Sequence, residues 1–483
     1  MTRFDLLLKG GRVLDPASGV DGGRDLGLCH GRVAAVGEHL DAGAAGHVID
    51  VTGKLVLPGI VDCHVHVSEW LGGHPGHRMM AASGVITAID HAGPIVEVFR
   101  TTRRGGAGLN IAALNGIIPG RTVRDREPSR DELDATVAAA LDGGALGVKL
   151  LGGHYPLSPE ATRRVMESAN AAQAYLSYHI GTLEIPDNDL NALRQALDIA
   201  GSLRLHLPHV SSYCRGYVLG DPYLEIKQAL DMVAAAPNVV AESHLSIWNG
   251  TSGFCVDGVP ESNVTKKCLR LGGYPVTEAG LRQAILDDYG RAIVELGGEN
   301  VPVGGREGVA AWERAGRRAV VSFPVNVAAA LLACATARDA CGDFIIDALA
   351  SDGGAIPRNN LVRAGLALVR FGALSLSDWV RKVTTTPARM FGLLRKGHLA
   401  EGADADVTVV DLQSDTAVLG IAAGAITMVD GIVVGRGGRF ITTERGRAAV
   451  EQAGFATQTV QLEDTLLYRG SSTTGTVDSV GSA

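Results

Sequence analysis

Pro58-Gly59-Ile60-Val61-Asp62-Cys63-His64-Val65-His66 closes an apolar run, 54–61, with two histidines one residue apart. In a strand, residues i and i+2 point to the same face, so His64 and His66 would project together from its C-terminal end. In a barrel of parallel strands, that end is where active sites are built. Two neutral imidazoles there suit one divalent metal, such as zinc, nickel, iron or cobalt. Taken alone, a His-x-His pair is as readily a chance surface feature, and the rest of the chain has to decide.

With 55–62 as the first, eight apolar runs follow in order; the others span 85–91, 109–117, 146–151, 174–179, 203–209, 239–244 and 344–351. Near-continuous apolar runs are what parallel strands buried on both faces require. Helix starts lie between them. Ser129 with Glu132 reads as a capping box. Ser158-Pro159, Asp221-Pro222 and Thr386-Pro387 each put a capping side chain before a proline suited to the first helical turn. The expectation is an α/β chain: a (β/α)8 TIM barrel over 57–394 with an insertion at about 247–325. A helix is expected over 277–296 within the insertion, which reads equally as a lid or as a decorated loop.

Residues 1–56 show no helical period and break into short strand-like pieces at 5–9, 12–14, 25–29, 32–37 and 47–50, with Asp21-Gly22-Gly23 and His30-Gly31 as turn signals. They read as the first part of a small β-sandwich domain. Its second part is expected over 395–450, where Gly402-Ala403-Asp404-Ala405-Asp406 leads into strands that run through Ile441. A C-terminal extension, 451–483, turns Ser/Thr/Gly-rich from Arg469 and is expected to be partly disordered.

The chain has 483 residues, 46% hydrophobic and 20% charged, enough for one large domain plus a smaller one. Its net charge of −8 and lack of a basic cluster argue against nucleic acid as a partner. No apolar run approaches a membrane span, and residues 1–9 are too short and mixed for a signal peptide. Seven irregularly spaced cysteines fit reduced thiols in a cytoplasmic protein.

Polar residues recur at the ends of the apolar runs. Run four carries Lys149, run five ends in Tyr178-His179, run six in His206-Leu207-Pro208-His209, run seven in Ser243-His244, and run eight in Ser351-Asp352-Gly353. A lysine inside so apolar a strand is costly unless its charge is altered or paired. Carboxylation by CO2 would turn Lys149 into a carboxylate able to bridge two metals.

This ordered set resembles the amidohydrolase superfamily in its binuclear-metal, hydantoinase/dihydroorotase/D-aminoacylase-like branch. Pro58 to His66 is similar to that family's opening motif, Gly147-Val148-Lys149 to its carboxylated-lysine strand, and His209-Val210-Ser211-Ser212 to the sixth-strand motif of hydantoinases and dihydroorotases. Ser351-Asp352-Gly353 is closer to the D-aminoacylase branch. Thr385-Thr386-Pro387-Ala388 and Gly402 to Asp406 resemble the family's return to the β domain. The resemblance implies that His64 and His66 bind a first metal, carboxylated Lys149 bridges, and His179 and His209 bind a second. Asp352 would touch the first metal and act as general acid/base. It implies two divalent ions, with zinc the default, sharing a hydroxide that attacks a carbonyl. It also implies a homo-oligomer and a small-molecule substrate.

His206 competes with His209 as the sixth-strand ligand, and the His-Val-Ser-Ser context favours His209. His154 or Tyr155 is the candidate oxyanion donor, with His154 at the family's spacing and Tyr155 one residue later. His244, Arg215 and Asn359, within Arg358-Asn359-Asn360, are substrate-side candidates, an arginine there being suited to a carboxylate and equally to solvent. Cys63 and His91 read as packing or supporting residues. The expected function is hydrolysis of a non-peptide C–N amide bond, first in a cyclic amide (hydantoin, dihydropyrimidine or lactam). The alternatives are an N-acyl-D-amino acid deacylase, a deaminase or lactone or phosphoester hydrolase, and a non-catalytic scaffold homologue.

Overall fold

The apolar run before the two histidines is two strands, not one. It breaks at Gly59, where a Cβ would lie 3.0 Å from side-chain atoms of Asp406 and Ile86. In this computed structural model, which describes residues 3–469, Leu55–Pro58 pairs with Val407–Asp411 of a separate sheet. After the break, Ile60–His66 (β1) opens the barrel.

The barrel continues with Val85–Asp90 (β2), Ala107–Ile117 (β3), Gly147–Leu151 (β4), Tyr175–His179 (β5), Leu205–Leu207 (β6) and Val239–Ser243 (β7). Each strand pairs in parallel with the next. The eighth strand is split. Ala348–Leu349 pairs with β7, and Gly353–Gly354 pairs with β1, which closes the ring. Each of the eight runs read from the sequence therefore contributes to a barrel strand, the first only from Ile60 onward. The register puts Lys149 opposite Ser177 and Ser177 opposite His206, so these three share one layer. Alternate residues Val148 and Leu150 belong to the apolar core, as a period of two demands.

Ser158 and Asp221 cap their helices as expected. Ser129 accepts from Glu132 N, but the Glu132 carboxylate accepts instead from Arg124 N, so the capping box is half formed. The helix at Thr385–Met390 starts one residue before Thr386 and has no side-chain cap.

The insertion is a small α+β unit with its own core around Trp312, Phe323, Leu269 and Leu281. Thr251–Ser252, Val320–Ser322, Arg291–Leu296 and Glu299–Val303 form its antiparallel sheet. The helix expected over 277–296 stops at Leu286. Asp288 takes a left-handed conformation (φ 62°) and the chain becomes strand from Arg291.

Around Phe4–Asp15, Leu55–Pro58 and Val407–Asp411, nine strands form one sheet whose apolar face closes over Leu6, Val13, Leu26, Val33, Val56, Val409 and Ile421. Asp406 ties this domain to the barrel through Lys396 (2.6 Å) and Asn110 (3.0 Å). The strand expected to end the sandwich at Ile441 behaves differently. Gly437–Thr442 pairs in parallel with β3 and with Ala456–Thr459, and Phe440 packs on Phe99 and Phe455. The last strand of the sandwich sheet is Ile432–Val433. The Ser/Thr/Gly-rich stretch beyond Arg469 lies outside the described residues. Among those described, all seven cysteines are free thiols and no helix is long and apolar enough to cross a membrane.

Candidate active site

Six side chains from five strand ends line one cavity of about 50 Å3: His64, His66, Lys149, His179, His209 and Asp352. Strand alternation brings His64 and His66 to it together. Their ring nitrogens and a carboxylate oxygen of Asp352 lie within 4.8 Å of one another. His66 Nε2 is 2.9 Å, and His64 Nε2 3.4 Å, from Asp352 Oδ1. His179 and His209 stand with ring centroids 4.6 Å apart, and His209 lies 5.4 Å from His64.

Lys149 is buried and its Nζ donates to Ser177 Oγ at 3.0 Å, with His91 Nδ1 at 3.4 Å. Burial pushes its ammonium down to about 7, against the pull of Glu242, Asp352 and Asp90. Burial likewise holds His64, His179 and His209 well below the ordinary histidine range, so they are neutral imidazoles at pH 7. Asp352 goes the other way. Burial alone would raise it, but the Arg358 guanidinium and His66 more than offset this, and it sits well below the carboxylate range.

His64 Nε2, His179 Nε2 and His209 Nδ1 are buried without a hydrogen-bond partner among the described residues. Unsatisfied buried nitrogens are rare. Neutral imidazoles next to an ionised carboxylate are the donor set that divalent transition metals take. The residues present therefore fit such ions, and Lys149 lies on the same wall.

His206 is in the layer of Lys149, below the cavity. Its Nδ1 meets Tyr175 OH at 3.2 Å and its ring packs on Phe391. His209, three residues later, is the one on the cavity wall. His154 also lines the cavity, its Nδ1 3.1 Å from Ser262 Oγ of the insertion. Tyr155 does not; it lines a separate outer groove of about 680 Å3 with Arg121 and Glu261. His244 stands behind the wall, bonded to Ser212 Oγ (3.0 Å) and Ser246 N (3.2 Å). Asn359 is likewise off the wall, clamping Gly354 through both N–H and C=O. Arg215 is on it, donating to Asn188 and Asn326 and making no ion pair among the described residues.

Two residues matter more than the sequence suggested. Glu242, on β7, is fully buried with Oε1 2.7 Å from His64 Nδ1. A glutamate inside the apolar run 239–244 was the available signal, of the same kind as Lys149. Arg358 lines the cavity but its donors are engaged by Asp352 and the Trp248 carbonyl. His91 stacks on His64 at 4.1 Å, between it and Lys149.

Residues 313–434 match the amidohydrolase family model. A dihydroorotase from Anaeromyxobacter dehalogenans strain 2CP-1 is 28% identical over 439 residues, covering 86% of this chain and 90% of its own. Among solved structures, a D-aminoacylase described by its binuclear metal center superposes with a TM-score of 0.66 at 19% identity, covering 90% of this chain and 99% of its own. A D-hydantoinase superposes with a TM-score of 0.60 at 15% identity, covering 90% and 98%. At such identities the structural likeness speaks to the fold.

Proposed function

We propose that the chain is an amidohydrolase, a metal-dependent hydrolase of a non-peptide C–N amide bond in a compact substrate, first of all a cyclic amide; the family-model match over residues 313–434 and the similarity to a dihydroorotase support this. The observation that carries this reading is the single cavity lined by His64, His66, Lys149, His179, His209 and Asp352. The full-length similarity to a dihydroorotase supports a ring amide as substrate.

Two divalent ions, zinc by default, would be held by His64, His66 and Asp352 on one side and by His179 and His209 on the other, with Lys149 between. Bound there, they supply Lewis-acid polarisation of the scissile carbonyl and activation of water near neutral pH. Lys149, brought down to about 7 by burial, is substantially unprotonated at neutral pH. In that form its nitrogen adds to the carbon of CO2 and loses a proton, which replaces a buried neutral amine with a carbamate anion.

Asp352, ionised and fixed by Arg358, takes the proton of the attacking water and returns it to the leaving nitrogen. His154, its Nδ1 tied to Ser262, is the side chain placed to hold the developing oxyanion. Arg215 is a partly buried cation without an acidic partner, which favours a substrate that carries a carboxylate.

The test is metal content by elemental analysis of protein grown with bicarbonate, beside Lys149→Ala. Two metals per chain, falling with loss of the lysine, supports the reading and directs a screen of carboxylated hydantoins, dihydropyrimidines, lactams and N-acyl amino acids. One metal in both proteins overturns the bridging role. No metal in either leaves a non-catalytic homologue.

A further inference from the structure

Glu242 lies near the C-terminal end of β7, separated from β1 in the ring by the split eighth strand, and none of its surface is exposed. A carboxylate buried this deeply in an apolar strand is destabilising unless its hydrogen bonds are made. Both of the bonds it makes go to one oxygen. Oε1 faces His64 Nδ1 at 2.7 Å and accepts from His209 N at 2.9 Å. Oε2 is buried with no partner among the described residues.

These two contacts reach opposite halves of the histidine cluster. With Glu242 ionised, Oε1 can only accept, which places the ring proton on Nδ1 and leaves the His64 Nε2 lone pair bare. That Nε2 is the atom 3.4 Å from Asp352 Oδ1. The second contact holds a strained residue. His209 has φ 39° and ψ 49°, the left-handed region that a histidine rarely adopts. Its backbone N–H, anchored on Glu242, keeps the chain turned so that the ring enters the cavity beside His179.

We infer that Glu242 is a positioning residue that sets the tautomer of His64 and the backbone of His209 with one oxygen, and so couples the two halves of the metal centre. This rests on the two-metal reading above. Carboxylates that orient ligating histidines typically matter about 10–100-fold in metal affinity. Here the loss should fall on both ions, because one oxygen serves a ligand of each.

The test uses the full-length protein stripped by chelator and titrated with zinc against a chromophoric chelator. Glu242→Ala should weaken both binding steps by about 10–100-fold. Glu242→Gln, which keeps an acceptor oxygen, should recover most of the loss. A merely structural residue would lower the melting temperature and leave the zinc affinity of the folded protein unchanged, which overturns the inference. So does weakening of one step only. If wild type takes up no zinc, the two-metal reading itself fails and the inference with it, a result visible without any variant. Should Glu242→Ala not fold, the tautomer decides. Side-chain 15N spectra of metal-free wild type, with His64 assigned by His64→Gln, should show a proton on Nδ1; a proton on Nε2 refutes the role.

Discussion

Arg358 grips Asp352 at two points: Nη2 lies 2.5 Å from the carboxylate and Nε donates to the backbone carbonyl at 2.5 Å. Asp352 is left-handed at φ 51°, between the two halves of the split eighth strand. The third Arg358 donor, Nη1, reaches the Trp248 carbonyl at the start of the insertion. One guanidinium thus fixes both the strained backbone and the orientation that turns Oδ1 to His66.

Arg358→Lys should therefore lower kcat/KM by about 10²-fold or more, since an ammonium cannot reproduce a planar fork and small misplacements of a catalytic group are costly. Arg358 depresses the Asp352 carboxyl, so its loss raises it. The acid limb of the pH–rate profile, which marks where this group gains a proton, should move to higher pH. An unmoved limb would show that Arg358 does not act through Asp352.

Gly153 does not need glycine for its backbone, having no positive φ, but a Cβ there would stand 2.4 Å from His179 Nε2. Gly153→Ala should keep the fold, with a stability change within about 1 kcal/mol because a ring can shift aside. It should nonetheless reduce bound metal from two per chain towards one. Elemental analysis with thermal unfolding reads both.

His206 and His209 should separate cleanly. His209→Ala removes a cavity nitrogen and should abolish one metal. His206→Phe replaces a ring packed on Tyr175 and Phe391 and should leave metal content intact while lowering stability by about 1–3 kcal/mol, for the added bulk and the orphaned Tyr175 hydroxyl. The reverse pattern would assign His206 as the ligand.

Arg215→Ala should raise KM for carboxylate-bearing substrates by about 10–100-fold and change kcat much less, as expected for an interaction made equally in ground and transition states. Uncharged analogues should lose little. Equal losses on both substrate kinds would remove the carboxylate role.

Lys382, fully buried, donates to the Ile346 carbonyl at 2.6 Å, and burial pushes its ammonium from 10.5 down to about 7. Between those values the native state holds fewer protons than the unfolded chain, so this group makes stability rise with pH across that window. Below about 7 the cost of the buried charge is fully present. The melting-temperature difference between wild type and Lys382→Met should shift in favour of wild type from pH 7 to 10. A pH-independent difference would refute this.

The eight strands and the residues lining the cavity were legible because each leaves a local mark: an apolar run, or a polar residue in it or at its end. Gly59 divided a run that apolarity alone could not divide. The His-Val-Ser-Ser context favoured His209 over His206, and register separates them physically by setting His206 level with Lys149. Nothing local distinguishes a gripping arginine such as Arg358 from a solvated one, whereas Glu242 stood out in its apolar run but its partner His64 lies 178 residues away. The strand at Gly437–Thr442 pairs with β3, across more than 300 residues, so composition could not choose between sandwich and barrel.

Between the small inner cavity and the wide outer groove stands a bond between two side chains, His154 to Ser262 at 3.1 Å, with their sequence neighbours Tyr155 and Glu261 on the outer side. It is a latch rather than a wall. Ser262 is buried and its hydroxyl also meets Thr251 Oγ1 at 3.0 Å, so side chains rather than packed backbone hold the two spaces apart. The groove beyond it carries Arg121 and Glu261, opposite charges, and no histidine of the centre.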